Sequence, residues 1–399
     1  MARVLSLCSR LPYPLTGGAK LRMFYTAKEM LKSHQVELLV IEESPTDQSA
    51  LSQLEEVFDA VHLFEYPKSE FYTNAARGIL STQPLQTHYY MFNEVNNWLN
   101  KNENLFDLLY CNHVRTTEYV KNRDTTRIVD LVDAISRNYQ QATSDATGLW
   151  RMIYPIEWRR LKRYEKSIVD TFDHSIITTQ EDLLHITNGE SNQEISTLPN
   201  GVKPDLLTYD LPDYYLRNQP VIVFLGKMDY FPNKDAAKYF ATEIFPKIRE
   251  SEQSAQFFIV GSSPEKEIWE LDSREGITVT GFVEDPVTYL NRADIVVAPM
   301  RHGAGLQNKV LEAMALGKPV VASEVAGEGI EAIDGHHLLV VGSSSEFQQA
   351  VLDLISDREK RELIGKNARV LIESRYTWNK VGSELRSIIE SCISQTSFD

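Results

Sequence analysis

The 399-residue sequence predicts an α/β protein of two parallel-sheet domains. Three observations carry that expectation. Short apolar runs alternate with helix-forming stretches in both halves, the pattern of strands joined by helical crossovers. A segment with four prolines and Asn200-Gly201, spanning 199–220, separates the two series. Residues 298–323 read as strand end, glycine loop, helix and next strand, one complete repeat of the fold.

In the first half a strand over 4–8 leads through Pro12-Tyr-Pro-Leu-Thr-Gly-Gly18 into a helix over 19–33. Further strands are expected at 36–41, 60–63, 107–111, 127–132 and 174–178. His113-Val-Arg-Thr-Thr117 and a helix follow the strand at 107–111. Thr178 and Thr179 each stand three residues before an acidic side chain, Glu181 and Asp182, as a helix cap does. The second half restarts with a strand at 221–225 and helix over most of 234–250. Strands follow at 256–260, 277–280 and 295–299. A helix over 306–316 is stopped by Gly317 and Pro319, and a strand opens at Val320. A last helix covers 378–391. The domains expected are 1–200 and 201–377, with 378–399 as a terminal helix.

Hydrophobic residues make up 42% and charged residues 24%, ordinary for a globular chain. A net charge of −15 argues against general nucleic-acid binding. Cys8, Cys111 and Cys392 are too scattered for a disulfide framework or a metal-ligand spacing, which fits a reducing cytoplasm. No apolar run is long enough to span a membrane.

The loop at 303–306 carries the chemistry. Gly303 and Gly305 let the backbone approach a ligand closely, and the following helix N-terminus favours an anion. Lys309 and Glu312 share one helix face. A cation near phosphates and a carboxylate further along suit a nucleotide diphosphate-sugar, with Glu312 accepting from ribose hydroxyls. The alternative is a packed strand–helix unit with a surface Lys and Glu. The string Leu311-Glu312-Ala313-Met314-Ala315-Leu316-Gly317-Lys318-Pro319-Val320-Val321 resembles the retaining nucleotide-sugar glycosyltransferases of family 4. Those enzymes have the GT-B fold, two Rossmann-like domains facing each other across a cleft. Phe224-Leu-Gly-Lys-Met-Asp-Tyr-Phe-Pro-Asn-Lys-Asp-Ala236 is similar to a subgroup associated with exopolysaccharide and exosortase systems in bacteria. So are Phe257-Phe-Ile-Val-Gly261, Val279-Thr-Gly-Phe-Val283 and Val129-Asp-Leu-Val-Asp-Ala-Ile-Ser136.

The resemblance implies a hexosyl-type transferase that takes a nucleotide diphosphate-sugar as donor substrate, needs no cofactor and no metal, and delivers to a hydroxyl acceptor in polysaccharide or glycoconjugate biosynthesis. It points to Gly17 and Gly18 near the diphosphate, with Lys20 and Arg22 as a solvated basic helix end in the alternative. It points also to Gly226, Lys227 and Asp229 after the first donor-domain strand, and to Phe282 and Val283 framing the base. The donor loop and helix add Arg301, Gly303, Ala304, Gly305, Leu306, Gln307, Lys309 and Glu312. Two departures stand out: Ala304 replaces a frequent glutamate eight residues before Glu312, and the common Arg and Lys pair is missing around Gly226. Arg301, Lys309 and the loop amides are then left to meet the phosphate charge. On the acceptor side His113 and Asp133 sit at strand ends, either as orienting residues or as structural ones.

The stretch 150–166 holds six basic and two acidic residues with four aromatics. It offers peripheral contact with an anionic membrane surface at the cytoplasmic face, or a helix packed on the first domain. Two other function classes compete with the transferase. A nicotinamide-dependent dehydrogenase also has alternating β and α, but the first strand lacks a Gly-x-Gly-x-x-Gly loop. A non-catalytic binding protein of the same fold would be consistent with Ala304.

Overall fold

The computed structural model describes residues 1–143, 148, 150–190, 194–210, 219–303 and 305–396. They divide into two compact units, one of Met1–Asn200 with the C-terminal segment from Trp378, the other of Gly201–Thr377.

The first unit holds seven strands: β1 (Arg3–Cys8), β2 (Gln35–Glu43), β3 (Ala60–Tyr66), β4 (Leu108–Asn112), β5 (Thr126–Val132), β6 (His174–Ile177) and β7 (Glu194–Thr197). All pair in parallel, in the order β3-β2-β1-β4-β5-β6-β7. The apolar runs at β1 and β4 are buried on both faces, as a sheet covered by helices on both sides requires. Strand order reverses between β1 and β4, so their carboxyl ends open a crevice that no crossover fills. β7 was not legible as a strand, because its burial is incomplete and its residues are mostly polar.

The helix Gly18–Met30 follows β1. It ends three residues before the expected boundary. The helix Trp378–Thr396 packs on it: Trp378 stacks on Tyr25 with ring centroids 4.9 Å apart, and Arg386 Nη1 donates to Glu29 Oε2 at 2.6 Å. Arg22 is fully buried, which removes the alternative of a solvated basic helix end for it. Its Nε donates to Asp130 Oδ2 at 2.7 Å, and its Nη1 reaches Leu198 O (3.0 Å) and Asn200 Oδ1 (2.9 Å). Tyr110 Oη donates to the same Asp130 oxygen at 2.9 Å. The helix therefore turns Arg22 inward, and the residue holds β5 and the end of the unit together.

The second unit has six parallel strands, β8 (Val221–Leu225), β9 (Gln256–Val260), β10 (Ile277–Gly281), β11 (Ile295–Ala298), β12 (Val320–Ser323) and β13 (Leu339–Val341). Their order is β10-β9-β8-β11-β12-β13, with the reversal between β8 and β11. The helix after β8 starts at Phe231, earlier than expected, with Pro232 in its first turn. It continues as a π-helical segment, Phe240–Ile244, and then as the helix Phe245–Ser251. Pro246 cannot donate to the preceding turn, which accounts for the widened turn before it.

All three cysteines are free and buried, and burial pushes their thiols up, Cys8 and Cys111 to about 12 and Cys392 to about 11.

Arg22→Ala strands the Asp130 carboxylate in the core and is expected to destabilise the first unit by about 3–5 kcal/mol. Four of the five tryptophans belong to that unit, so urea unfolding followed by tryptophan fluorescence reads it directly. A midpoint equal to wild type would show that the pair holds nothing.

Candidate functional site

In the second unit, the loops after β8 and β11 meet at the point of reversal. Gly226 N–H donates to Val260 O at 3.0 Å and Met228 N–H to Ser262 O at 2.8 Å, which pins the loop after β8 against the end of β9. A Cβ on Gly226 would lie 2.7 Å from the Asn233 side chain, so only glycine leaves room for it. Asn233 Nδ2 donates to Lys227 O at 3.0 Å, and its Oδ1 accepts a short hydrogen bond from Lys309 Nζ. Asn233 thus joins the loop after β8 to the helix that follows β11. Sequence reasoning quoted Asn233 within a motif but gave it no role.

The helix expected over 306–316 is Asn308–Ala315, with Gln307 as its cap. Leu306, like Gly303 and Gly305, therefore lies in the loop and not in the first helical turn. Gly303 (φ 145°) and Gly305 (φ 71°) both take left-handed backbone, which L side chains resist. Leu306 is buried beneath them. Ala304 lies outside the described residues.

Lys309 has neutral partners: Asn233 Oδ1, Met300 Sδ at 3.6 Å, and the face of Phe224 at 5.1 Å from the ring centroid. Burial pulls its ammonium down to about 7, with attraction from Glu312 only partly opposing. Burial also raises the Glu312 carboxyl, against the pull of Lys203 and Lys309. Glu312 makes no side-chain hydrogen bond to another described residue, so its oxygens are open to accept from a ligand hydroxyl.

Other expected donor-side residues are more occupied. Arg301 grips Asp235 through both Nε (2.9 Å) and Nη2 and lies over Tyr239, so its charge is already paired. Lys227 Nζ is 3.0 Å from Asp229 Oδ2, both exposed. Phe282 is 78% exposed at the end of β10, which removes core packing as its role. Val283 packs partly against the core.

In the first unit, Gly17 (φ 83°) caps the helix Gly18–Met30, and no side chain caps its first turn. Lys20 Nζ lies 3.4 Å from Tyr13 O. His113 follows β4 in left-handed backbone (φ 71°), held by its N–H to Asp130 O at 2.7 Å. Its Nδ1 is buried without a partner, and burial, then Arg115 and Arg10, hold its pKa well below the usual range. Asp133 follows β5 and accepts from Thr178 Oγ1 at 3.3 Å. Burial and then Asp182 push its carboxyl up to about 7, against Arg22. Thr179, not Thr178, caps the helix Gln180–Thr187.

The stretch 150–166 forms most of the helix Trp150–Val169. Its two carboxylates turn inward: Glu157 bonds Arg160 and Leu85 N–H, and Glu165 bonds Ser136. Trp150, Met152 and Ile156 are exposed, beside Arg151, Arg159 and Arg163. Among the described residues, no helix is long and apolar enough to cross a membrane, and no three His, Cys, Asp or Glu are grouped to hold a metal ion.

Two parallel sheets, each winding outward from a central pair of strands, have the architecture of the GT-B class. The sucrose-phosphate synthase of Thermosynechococcus elongatus shares this fold, with a TM-score of 0.74 at 14% identity over 98% of this chain and 100% of its own. HepE of Anabaena, solved with UDP-glucose, does so with a TM-score of 0.66 at 17% identity over 98% of this chain and 100% of its own. Residues 219–357 match the glycosyl transferases group 1 model, so the chain carries a domain of that family. The capsular polysaccharide biosynthesis glycosyltransferase CapM of Staphylococcus aureus is 24% identical over 58% of this chain and 62% of its own. The chain spans 31%, 46% and 62% of the length of the first curated relatives it matches.

Lys309 supplies a pH test. Below about 7 its Nζ carries charge in the empty protein; above that, binding a phosphate there requires taking up a proton. Affinity for a nucleoside diphosphate is expected to fall by up to about tenfold per pH unit above neutrality, relative to Lys309→Met, in which the proton uptake is gone. Calorimetric titration across pH checks this. Parallel profiles for wild type and variant would show that Lys309 does not meet the phosphates.

Proposed function

We propose that this chain transfers a sugar from a nucleotide diphosphate-sugar bound by the second unit to a hydroxyl acceptor, in polysaccharide or glycoconjugate biosynthesis. The observation that carries the proposal is Lys309, a half-buried ammonium with only neutral hydrogen-bond partners beside a double-glycine loop. A leaving diphosphate supplies the missing charge. In a low-dielectric site such a preorganised cation stabilises the leaving group as the bond to the anomeric carbon breaks. Glu312 then accepts from ribose hydroxyls, and exposed Phe282 stacks on the base. UDP-glucose in HepE makes uridine diphosphate-sugars the first donors to try.

The transfer proceeds with retention and without a metal ion. The bond from the anomeric carbon to the diphosphate oxygen breaks, and a bond to the acceptor oxygen forms on the same face. The departing phosphate takes the acceptor proton, so no protein base is obligatory, and His113 and Asp133 orient the acceptor. The outward face of the helix Trp150–Val169, apolar at one end and basic along its length, docks the chain on the inner face of an anionic membrane.

Donor-dependent thermal stabilisation across nucleotides and nucleotide sugars, with and without magnesium, tests the main reading. A ligand at about 100 times its Kd adds about 2.7 kcal/mol to stability. One nucleotide sugar should raise the Tm whether or not magnesium is present, and Lys309→Ala should abolish turnover with it. A shift from a nicotinamide dinucleotide alone would overturn the transferase reading, and donor binding with no turnover would make the chain a binding protein. For the membrane contact, the double variant Arg159→Glu, Arg163→Glu should bind phosphatidylglycerol vesicles roughly tenfold or more weakly. Wild-type binding that is equal on neutral phosphatidylcholine vesicles would dismiss the electrostatic contact.

A further inference from the structure

The first unit carries a second basic group, two guanidiniums and an imidazole, that the donor reading does not use. Arg10 leaves β1 two residues past its end, and His113 and Arg115 follow β4. The two strands pair in parallel with Leu7 opposite Cys111, so their exits lie side by side. Asn112 Nδ2 ties them, donating to Ser6 Oγ at 2.9 Å and Leu7 O at 3.2 Å.

The cluster is built and not merely adjacent. The left-handed turn at His113 fixes the ring, and Nδ1 is buried with no partner. Arg115 Nε donates to Gln86 Oε1 at 3.0 Å, and its guanidinium lies over Tyr90, 5.5 Å from the ring centroid. No carboxylate among the described residues pairs with Arg10, His113 or Arg115. Burial first, and then Arg115 and Arg10, disfavour charge on His113, and burial and Arg10 disfavour it on Arg115, which is the opposite of a structural ion pair. Lys20 also faces Arg10, but Glu42 and Asp47 face Lys20 in turn. Such a gathering in a chain of net charge −15 is unfavourable until an anion enters it.

The walls suit a sugar. Gln86 Nε2 donates to Tyr139 Oη at 2.8 Å, the Tyr139 ring lies 5.1 Å from Tyr154, and Tyr154 lies 5.2 Å from exposed Trp150. Aromatic faces and polar groups therefore run from Arg115 to the surface. Apolar walls with a few convergent polar groups are the usual make-up of a small-molecule site.

We propose that Arg10, His113 and Arg115 bind an anionic group, phosphate or carboxylate, on the acceptor, so that this chain glycosylates a charged and not a neutral sugar. The proposal rests on the transferase reading and adds the acceptor class to it. A bidentate guanidinium contact from Arg115 would hold the anion, with His113 Nδ1 accepting from or donating to a neighbouring hydroxyl according to its tautomer.

The test is calorimetric titration of the full chain with glucose 1-phosphate, glucuronate and glucose, and with UDP as a donor-side control. Wild type should bind one or both charged sugars, and glucose far more weakly. Whichever charged sugar binds identifies the anion as phosphate or carboxylate. Arg115→Gln should lower that affinity at least about tenfold, and Arg115→Lys, which keeps the charge but loses the two-pronged contact, should fall between wild type and Arg115→Gln. UDP affinity should be unchanged in both variants, and a wild-type urea midpoint by tryptophan fluorescence, which reads mainly the first unit, shows that they fold. Equal binding of charged and neutral sugars, or of neither, would overturn the proposal. So would a parallel loss of UDP affinity in Arg115→Gln, because the cluster would then serve donor phosphates. Binding of a charged sugar through Arg115 with no binding of UDP, GDP or ADP would instead leave the cluster standing and sink the transferase reading.

Discussion

A strand that pairs in parallel with its neighbour cannot return through a tight turn; it must cross the sheet through a helix. Every described strand pair in this chain is parallel, so each unit winds outward from a central pair, β1 and β4 in one, β8 and β11 in the other. The crossovers leave in opposite directions from each pair, and the space above the carboxyl ends stays open. That geometry places Gly226 and Gly303 on adjacent loops, and in the other unit brings the Arg10 loop beside His113. Neither site needed a special element; each lies where the winding leaves the backbone uncovered.

The two cations at the centre of these units are treated in contrasting ways. Arg22 is met by a carboxylate, two backbone carbonyls and an amide oxygen, and the carboxylate is met again by Tyr110. Nε and Nη1 are fully engaged while Nη2 is buried without a partner, and a buried polar network of this kind fixes a structure. Lys309 has an amide oxygen, a thioether and a ring face, none of them charged. Its charge is held ready in a place that penalises it, which is how a site keeps a group responsive to an incoming anion. Arg301, by contrast, has its carboxylate already, and sits on the structural side of the same divide.

The apolar runs made most strands legible, because a parallel sheet buried on both faces must be written in Val, Ile, Leu and Phe. β7 escaped because incomplete burial at a sheet edge lets polar residues in, and β13 because it is only three residues long. The glycine loop and the Lys309–Glu312 spacing were legible because they are local in sequence. The helix start was not: Gln307 caps it with backbone alone, and no side-chain signal marks the boundary. Asn233 and Arg22 were beyond reach for another reason. Their decisive partners lie 76 and 108 positions away, and no periodicity reports a contact made by the tertiary fold. Phe282 was undecidable for a similar cause, since an aromatic at a strand end packs inward or outward depending on the neighbouring loop.

The buried thiols bear on how the protein can be instrumented. Cys8, Cys111 and Cys392 all belong to the first unit, and with pKa values pushed to 11 or 12 almost none is thiolate at neutral pH. The second unit has no cysteine at all. A spin label or fluorophore directed at an introduced, exposed cysteine therefore meets no native competitor. Reporters can be installed on either unit in the wild-type background without first stripping the natural thiols.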